Sequence, residues 1–79
     1  MLKKAVITIP VNRRSLIARM QRALAKDGRR LRTDRRGRRT SYLLIDSKRQ
    51  TLIAADIDLE QLGRELGVLQ PYERLEPSE

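Results

Sequence analysis

The chain has 79 residues, a formal net charge of +8, and neither cysteine nor histidine. This length supports one domain, in which a single hydrophobic core is only just sufficient. The absence of cysteine excludes disulfides and thiolate ligands, and the absence of histidine removes the commonest general base and zinc ligand. We therefore expect a protein that is not an enzyme, with no catalytic residue, cofactor or metal site.

The sequence also gives no sign of a membrane segment. No apolar run approaches the roughly 20 residues that are needed to cross a bilayer. The basic start at residues 1–4 is followed by only five residues before Pro10, which is too short for a signal peptide. We therefore expect a cytoplasmic protein with no membrane partner.

The first elements are a short extended segment and an amphipathic helix. Residues 5–9 alternate apolar side chains with Thr8 and predict a short strand or an extended arm that stops at Pro10. The helix begins after an N-cap at Asn12 and ends at Gly28, the residue after its C-cap. Its apolar arc consists of Leu16, Ile17, Met20, Ala23 and Leu24, and a separate cationic face carries Arg19, Arg22 and Lys26.

Three strand candidates follow the helix and form an antiparallel meander. Residues 29–33 predict a highly charged edge strand, and the Asp-Arg-Arg-Gly sequence at 34–37 predicts a type I turn. Residues 38–46 predict the central strand, 47–49 a second turn, and 50–55 the third strand. The meander therefore carries an arginine-rich hairpin at its start.

The central strand is apolar on both faces, because Tyr42, Leu43, Leu44 and Ile45 follow one another. Both faces of such a strand need cover. The helices can cover one face, and the other needs the N-terminal segment, the C-terminal tail or a second copy of the chain. This second apolar sheet face is the basis for expecting a homodimer.

The second helix begins at the N-cap Asp58 and ends at Gly67. Gly63 within it costs about 1 kcal/mol relative to alanine, which indicates a close-packing point against the sheet. The predicted fold class is α+β, with the order (β)-α-β-β-β-α and a three-stranded antiparallel meander packed on two helices. Residues 1–75 are predicted to form this single domain, and residues 76–79 a frayed tail.

Positive charge is concentrated in one part of the chain. Residues 1–49 contain 16 lysines and arginines against three acids, whereas residues 50–79 contain two against seven. Between residues 28 and 40, seven of 13 residues are arginine, whose planar guanidinium binds phosphate in a bidentate manner. We therefore expect an accessory protein that binds DNA or RNA mainly through phosphates, using Arg19, Arg22, Lys26, Arg29, Arg30, Arg32, Arg35, Arg36, Arg38 and Arg39.

Two other interpretations of the charge stay open. A basic hairpin could serve only to keep an edge strand from aggregating, although one or two charges are enough for that. Alternatively, the chain is a protein–protein adaptor, in which the acidic C-terminal half or the basic hairpin docks an oppositely charged partner.

A resemblance to known proteins is carried by the Asp-Leu-Glu-Gln-Leu-Gly-Arg-Glu-Leu-Gly-Val-Leu sequence at residues 58–69. This segment resembles the C-terminal part of short uncharacterised bacterial proteins, some of them from mobile elements. The resemblance implies a bacterial origin, and it implies no activity.

Overall fold

A computed structural model describes residues 8–77 of the chain. Residues 5–7 of the predicted arm and residues 78–79 of the predicted tail lie outside the described residues. The elements are β1 (Ile9–Val11), α1 (Arg13–Ala25), β2 (Arg29–Arg36), β3 (Arg39–Asp46), β4 (Thr51–Ala54), α2 (Leu59–Glu65) and β5 (Glu73–Leu75). Two helices and a three-stranded antiparallel sheet in the order β2-β3-β4 confirm the predicted α+β fold.

The first helix has the predicted start and core face. The Ser15 N–H donates to the Asn12 side chain at 2.8 Å, which confirms the N-cap. Leu16, Met20 and Leu24 are four residues apart and are the most completely buried large side chains of the described chain. The C-cap is Lys26, so Gly28 is the second residue after the cap, whereas the sequence predicts that it is the first. Its φ of +71° turns the chain into β2.

The predicted turn at residues 34–37 is wrong by two residues. β2 continues to Arg36, which lies directly opposite Arg39, so only Gly37 and Arg38 form the turn. Gly37 has a φ of +60° and Arg38 a negative φ, the combination of a type II′ turn. Such a turn matches the right-handed twist of the paired strands, whereas a type I turn would splay them.

The third strand covers only part of the central one. Leu44 lies opposite Ala54 and Ile45 opposite Leu52, so Ile53 is an unpaired bulge residue. β4 therefore pairs with β3 only between Leu44 and Asp46, and the edge of β3 nearer the hairpin turn is not covered by a strand.

A second, parallel pair of strands joins the two ends of the described chain. In β1 and β5, Ile9 lies opposite Glu73 and Val11 opposite Leu75. The prediction that the strand stops at Pro10 is wrong, because Pro10 lies inside β1. Ile9 and Val11 make the main-chain hydrogen bonds to the segment that contains β5, so the missing N–H of Pro10 removes no hydrogen bond between the two strands. The Glu76 N–H continues this pairing by donating to the Val11 carbonyl at 2.8 Å.

The core lies between α1, α2 and one face of the sheet; its buried members are Val11, Leu16, Met20, Leu24, Leu31, Tyr42, Leu44, Leu59 and Leu69. Asp58 caps α2 by accepting from the Gln61 N–H at 3.2 Å, as predicted. Gly63 is a close-packing point, but not against the sheet. A Cβ there would lie 3.1 Å from Leu16 Cδ1 and 3.3 Å from Leu69 Cβ, so Gly63 packs against α1 and the segment after α2.

Candidate nucleic-acid interface

The side chains of β2 alternate between the two faces of the sheet. Leu31 is buried against the helices, so Arg29 and Arg35 share its inner face because strand side chains repeat every second residue. Arg30, Arg32, Asp34 and Arg36 lie on the opposite face of the sheet, which we call the outer face. The predicted arginines of the hairpin therefore divide between two faces.

The outer face combines arginines with apolar side chains. Arg30 lies opposite Ile45, and Arg32 lies opposite Leu43. Ile45 is only 8% exposed although it lies on the outer face, where Arg30 and Leu52 flank it in the sheet. Long arginine stems can cover an apolar residue while their guanidinium groups stay in water.

The end of the hairpin, residues 34–41, carries the most concentrated charge, and we call it the ribbon tip. Its arginines, at positions 35, 36, 38 and 39, are all exposed. Arg36 pairs with Asp34 at 3.0 Å, but its side chain is 85% exposed, so the pair is weak. Arg36 and Arg39 also lie directly opposite each other, and like charges in that position destabilise a hairpin.

The cations of α1 line a surface of their own, and their part in nucleic-acid binding stays a prediction. Gln21 exchanges two hydrogen bonds of 2.9 Å with the Leu31 main chain, so this side of α1 faces β2. At about 100° per residue, Arg19 and Lys26 lie about 160° and 140° around the helix from Gln21. Together with Arg22 and Ala23 they line a separate groove beside Val68.

Arg19 is engaged within the fold. Its Nη1 donates to the Glu73 carboxylate and to the Val68 carbonyl, each at 3.0 Å. The Glu73 carboxylate also accepts from the Gln70 N–H at 2.9 Å. That main-chain bond, followed by the bond from Arg19, holds the pKa of Glu73 below its ordinary value. Arg19 therefore ties α1 to the C-terminal segment and is less available to a polyanion than Arg22 or Lys26.

Sequence reasoning missed a second basic cluster at the opposite end of the sheet. The turn between β3 and β4 carries Lys48 and Arg49, whose N–H groups donate to Asp46 at 3.0 and 3.1 Å. The Arg49 N–H is the main cause that lowers the pKa of Asp46, and the charges of Arg49 and Arg29 add to it. The sequence predicts only a turn at residues 47–49, because a short basic turn gives no local sign that it meets the start of β2.

Sequence reasoning also missed Arg13, the first residue of α1. It shares a pocket with Arg39 and Tyr42, and nothing in the local sequence places a helix start beside a hairpin.

Comparisons with protein-family models, curated proteins and solved structures found no match. No helix among residues 8–77 is long and apolar enough to cross a membrane. Within the same residues, acidic side chains form no group that could hold a metal ion.

Proposed function

We propose that this protein binds nucleic acid through the ribbon tip and the outer face, as an accessory protein that contacts mainly phosphates. The observation that carries the proposal is the ribbon tip itself. It holds four exposed arginines, two of them directly opposite each other, and a single carboxylate. Such an arrangement is unfavourable for the free hairpin, and a bound polyanion would relieve the repulsion.

Duplex DNA is the first ligand to test. A two-stranded β-ribbon fits the major groove of B-DNA, which is about 12 Å wide, whereas the major groove of duplex RNA is deep and narrow. Arginines lie on both faces of the ribbon, so they would contact the phosphates on both sides of the groove. Residues 34–41 contain no asparagine, glutamine or aromatic side chain, which favours backbone contacts over reading of bases.

Binding is measured by titrating labelled duplex DNA, duplex RNA and single strands at several NaCl concentrations. If about six cations contact phosphates, the affinity for duplex DNA falls roughly 10³-fold between ~50 and ~200 mM salt. Absence of binding to all three ligands at ~50 mM NaCl contradicts the proposal.

A charge-matched pair of variants locates the contact surface. Replacing Arg32, Arg35 and Arg38 by glutamine removes three exposed cations from the hairpin, and we expect the slope of log K against log salt to fall by about 2.7. The control replaces Arg14, Lys48 and Arg49 by glutamine; these residues are also exposed but lie outside the ribbon tip and the outer face. Equal effects of the two triple variants would show that net charge, and not the hairpin, determines binding.

The adaptor alternative receives less support because acidic side chains of the C-terminal third serve the fold. Glu73 is buried and bonded to Arg19, and Glu60 accepts from the Leu75 N–H at 2.9 Å. Neutralising them would disturb packing as well as any docking surface, so they do not form a free acidic face.

The expected homodimer stays a prediction. Leu52, which lies opposite Ile45 and is 60% exposed, gives the outer face an apolar part that a second copy could cover, and the neighbouring Ile53 is 43% exposed. However, Arg30 and Arg32 lie on the same face, and stacking two copies there would bring two rows of arginines together. The proposal of nucleic-acid binding therefore does not include a dimer. The cytoplasmic location and the lack of enzymatic activity also stay predictions.

A further inference from the structure

A pocket opens where β4 stops covering the edge of β3. The chain returns to this edge at Ile57, whose N–H donates to the Tyr42 carbonyl at 3.1 Å. Between that contact and the hairpin turn lies a pocket of about 280 Å³, which we call the edge pocket. Its lining includes Arg13, Arg39, Thr40, Ser41, Tyr42 and Asp56.

Two guanidinium groups in the edge pocket have no carboxylate partner among the described residues. Arg13 and Arg39 form no ion pair within 4.0 Å there, although Asp56 also lines the pocket. The Nε of Arg13 is buried and has no hydrogen-bond partner among the described residues. A buried donor on a charged group is costly to leave unsatisfied. Because this Nε has almost no exposed surface, an acceptor in the pocket reaches it only when the Arg13 side chain shifts toward the ligand.

The wall of the edge pocket supplies further donors. Because main-chain groups of an antiparallel strand point alternately to its two edges, the Tyr42 bond to Ile57 fixes which residues of β3 face this edge. Thr40, two residues earlier, therefore presents its N–H to the pocket. Thr40 and Tyr42, which carry hydroxyl groups, belong to the same lining. Ser41 also lines the pocket, but its hydroxyl donates to the Asp34 carbonyl at 3.4 Å. The two arginines outweigh Asp56 by one positive charge.

We propose that the edge pocket binds a phosphate group. Phosphate oxygens accept from guanidinium forks, main-chain N–H groups and hydroxyls together, and these are the donors that line the pocket. The group can belong to a terminal monoester or to an internal phosphodiester. The inference goes beyond the proposed nucleic-acid interface, since Arg13 lies outside the predicted set and the pocket can bind phosphate whether or not nucleic acid is the ligand.

The first test titrates inorganic phosphate at low ionic strength and follows the amide signals of Thr40 and Tyr42 by NMR, with chloride at equal ionic strength as the control. Loss of one charge-assisted bond in Arg13→Gln weakens binding about tenfold. Arg14→Gln, the exposed neighbour outside the pocket, changes it less than twofold. Shifts that chloride reproduces, or equal effects of the two variants, overturn the proposal.

A second variant keeps the test decisive if Arg13→Gln does not fold. Asp56→Asn removes the opposing charge, and asparagine tolerates the φ of 52° found at this position. We expect phosphate to bind about threefold more tightly to this variant. Unchanged or weaker binding contradicts the proposal.

Duplexes with and without a 5′-phosphate separate the two sources of the group. With a terminal monoester as ligand, the phosphorylated duplex binds more tightly and Arg13→Gln removes the difference. With an internal phosphodiester, both duplexes bind equally and Arg13→Gln weakens both. If both duplexes bind and Arg13→Gln affects neither duplex nor inorganic phosphate, the edge-pocket proposal fails while the proposed function stands. If inorganic phosphate binds but neither duplex does, the proposed function fails while the edge-pocket proposal stands.

Discussion

At the scale of single residues, Glu73 connects the C-terminal segment with the first helix. Its carboxylate accepts from the Gln70 N–H and from Arg19, and the residue is only 9% exposed. Both bonds favour the ionised form and hold the pKa below the ordinary value of 4.5. A folded-state pKa below the unfolded one means that the carboxylate stabilises the fold at pH values above 4.5.

Replacing Glu73 by glutamine tests this role. We expect a lower melting temperature than that of the wild type at pH 7, because the variant loses the charge that Arg19 meets. The wild type loses the same contribution as the pH falls from 4.5 through the lowered pKa, so the two melting temperatures converge in acid. Glu76→Gln, at an exposed position, is the control. A difference that stays constant from pH 7 to pH 3 would assign the effect to packing.

At the scale of elements, the contact of α2 with α1 depends on a missing side chain. A Cβ at Gly63 would be 3.1 Å from Leu16 Cδ1, and because Leu16 is fully buried, its side chain would have to shift within a packed core. Alanine gains about 1 kcal/mol in helix propensity, but overpacking costs about 1–3 kcal/mol. We therefore expect Gly63→Ala to lower the free energy of unfolding by about 1 kcal/mol in urea denaturation.

A double-mutant cycle separates the two contributions. In a Leu16→Ala background the Cδ1 atom is absent, so Gly63→Ala no longer meets its closest neighbour and the propensity gain is expected to dominate. If Gly63→Ala instead stabilises the wild-type protein, the close approach is not limiting and the interpretation of Gly63 is wrong.

Elements with local signals were predictable, and those set by distant pairing were not. Asn12 and Asp58 cap their helices as expected, because an N-cap is decided within four residues. The hairpin turn was misplaced, because its position depends on Leu31 pairing with Leu44 across the sheet. The β1–β5 pair joins the two ends of the described chain, and neither segment alone signals it.

In the candidate interface, too, local features could be predicted and features set by distant contacts could not. Local strand and turn signals were sufficient to place the arginines on a hairpin, and the sequence shows directly that seven of them fall within 13 residues. The local signals did not reveal that Arg19 turns to Glu73, 54 residues away, or that Arg13 shares a pocket with Arg39. Both facts follow from how α1 packs between the sheet and the C-terminal segment, which depends on tertiary contacts.

At the scale of the whole molecule, shape and charge act together. The described residues span 54 × 31 × 17 Å, so the fold is elongated and flat. The buried residues lie where the helices cover the sheet, whereas the ribbon tip contributes none of the core. Because a net charge of +8 repels itself and domains of this size are only marginally stable, charge repulsion is a substantial part of the balance.

Salt should therefore act in opposite directions on folding and on polyanion binding. Raising NaCl from ~20 to ~200 mM screens the repulsion, and we expect about 1 kcal/mol of added stability, or a melting temperature about 4–8 °C higher. The same change weakens duplex binding. The variant with glutamine at 32, 35 and 38 lacks three of the repelling charges, so its melting temperature should depend less on salt. A melting temperature that falls with salt in the wild type would mean that ion pairs such as Arg19–Glu73 outweigh the repulsion.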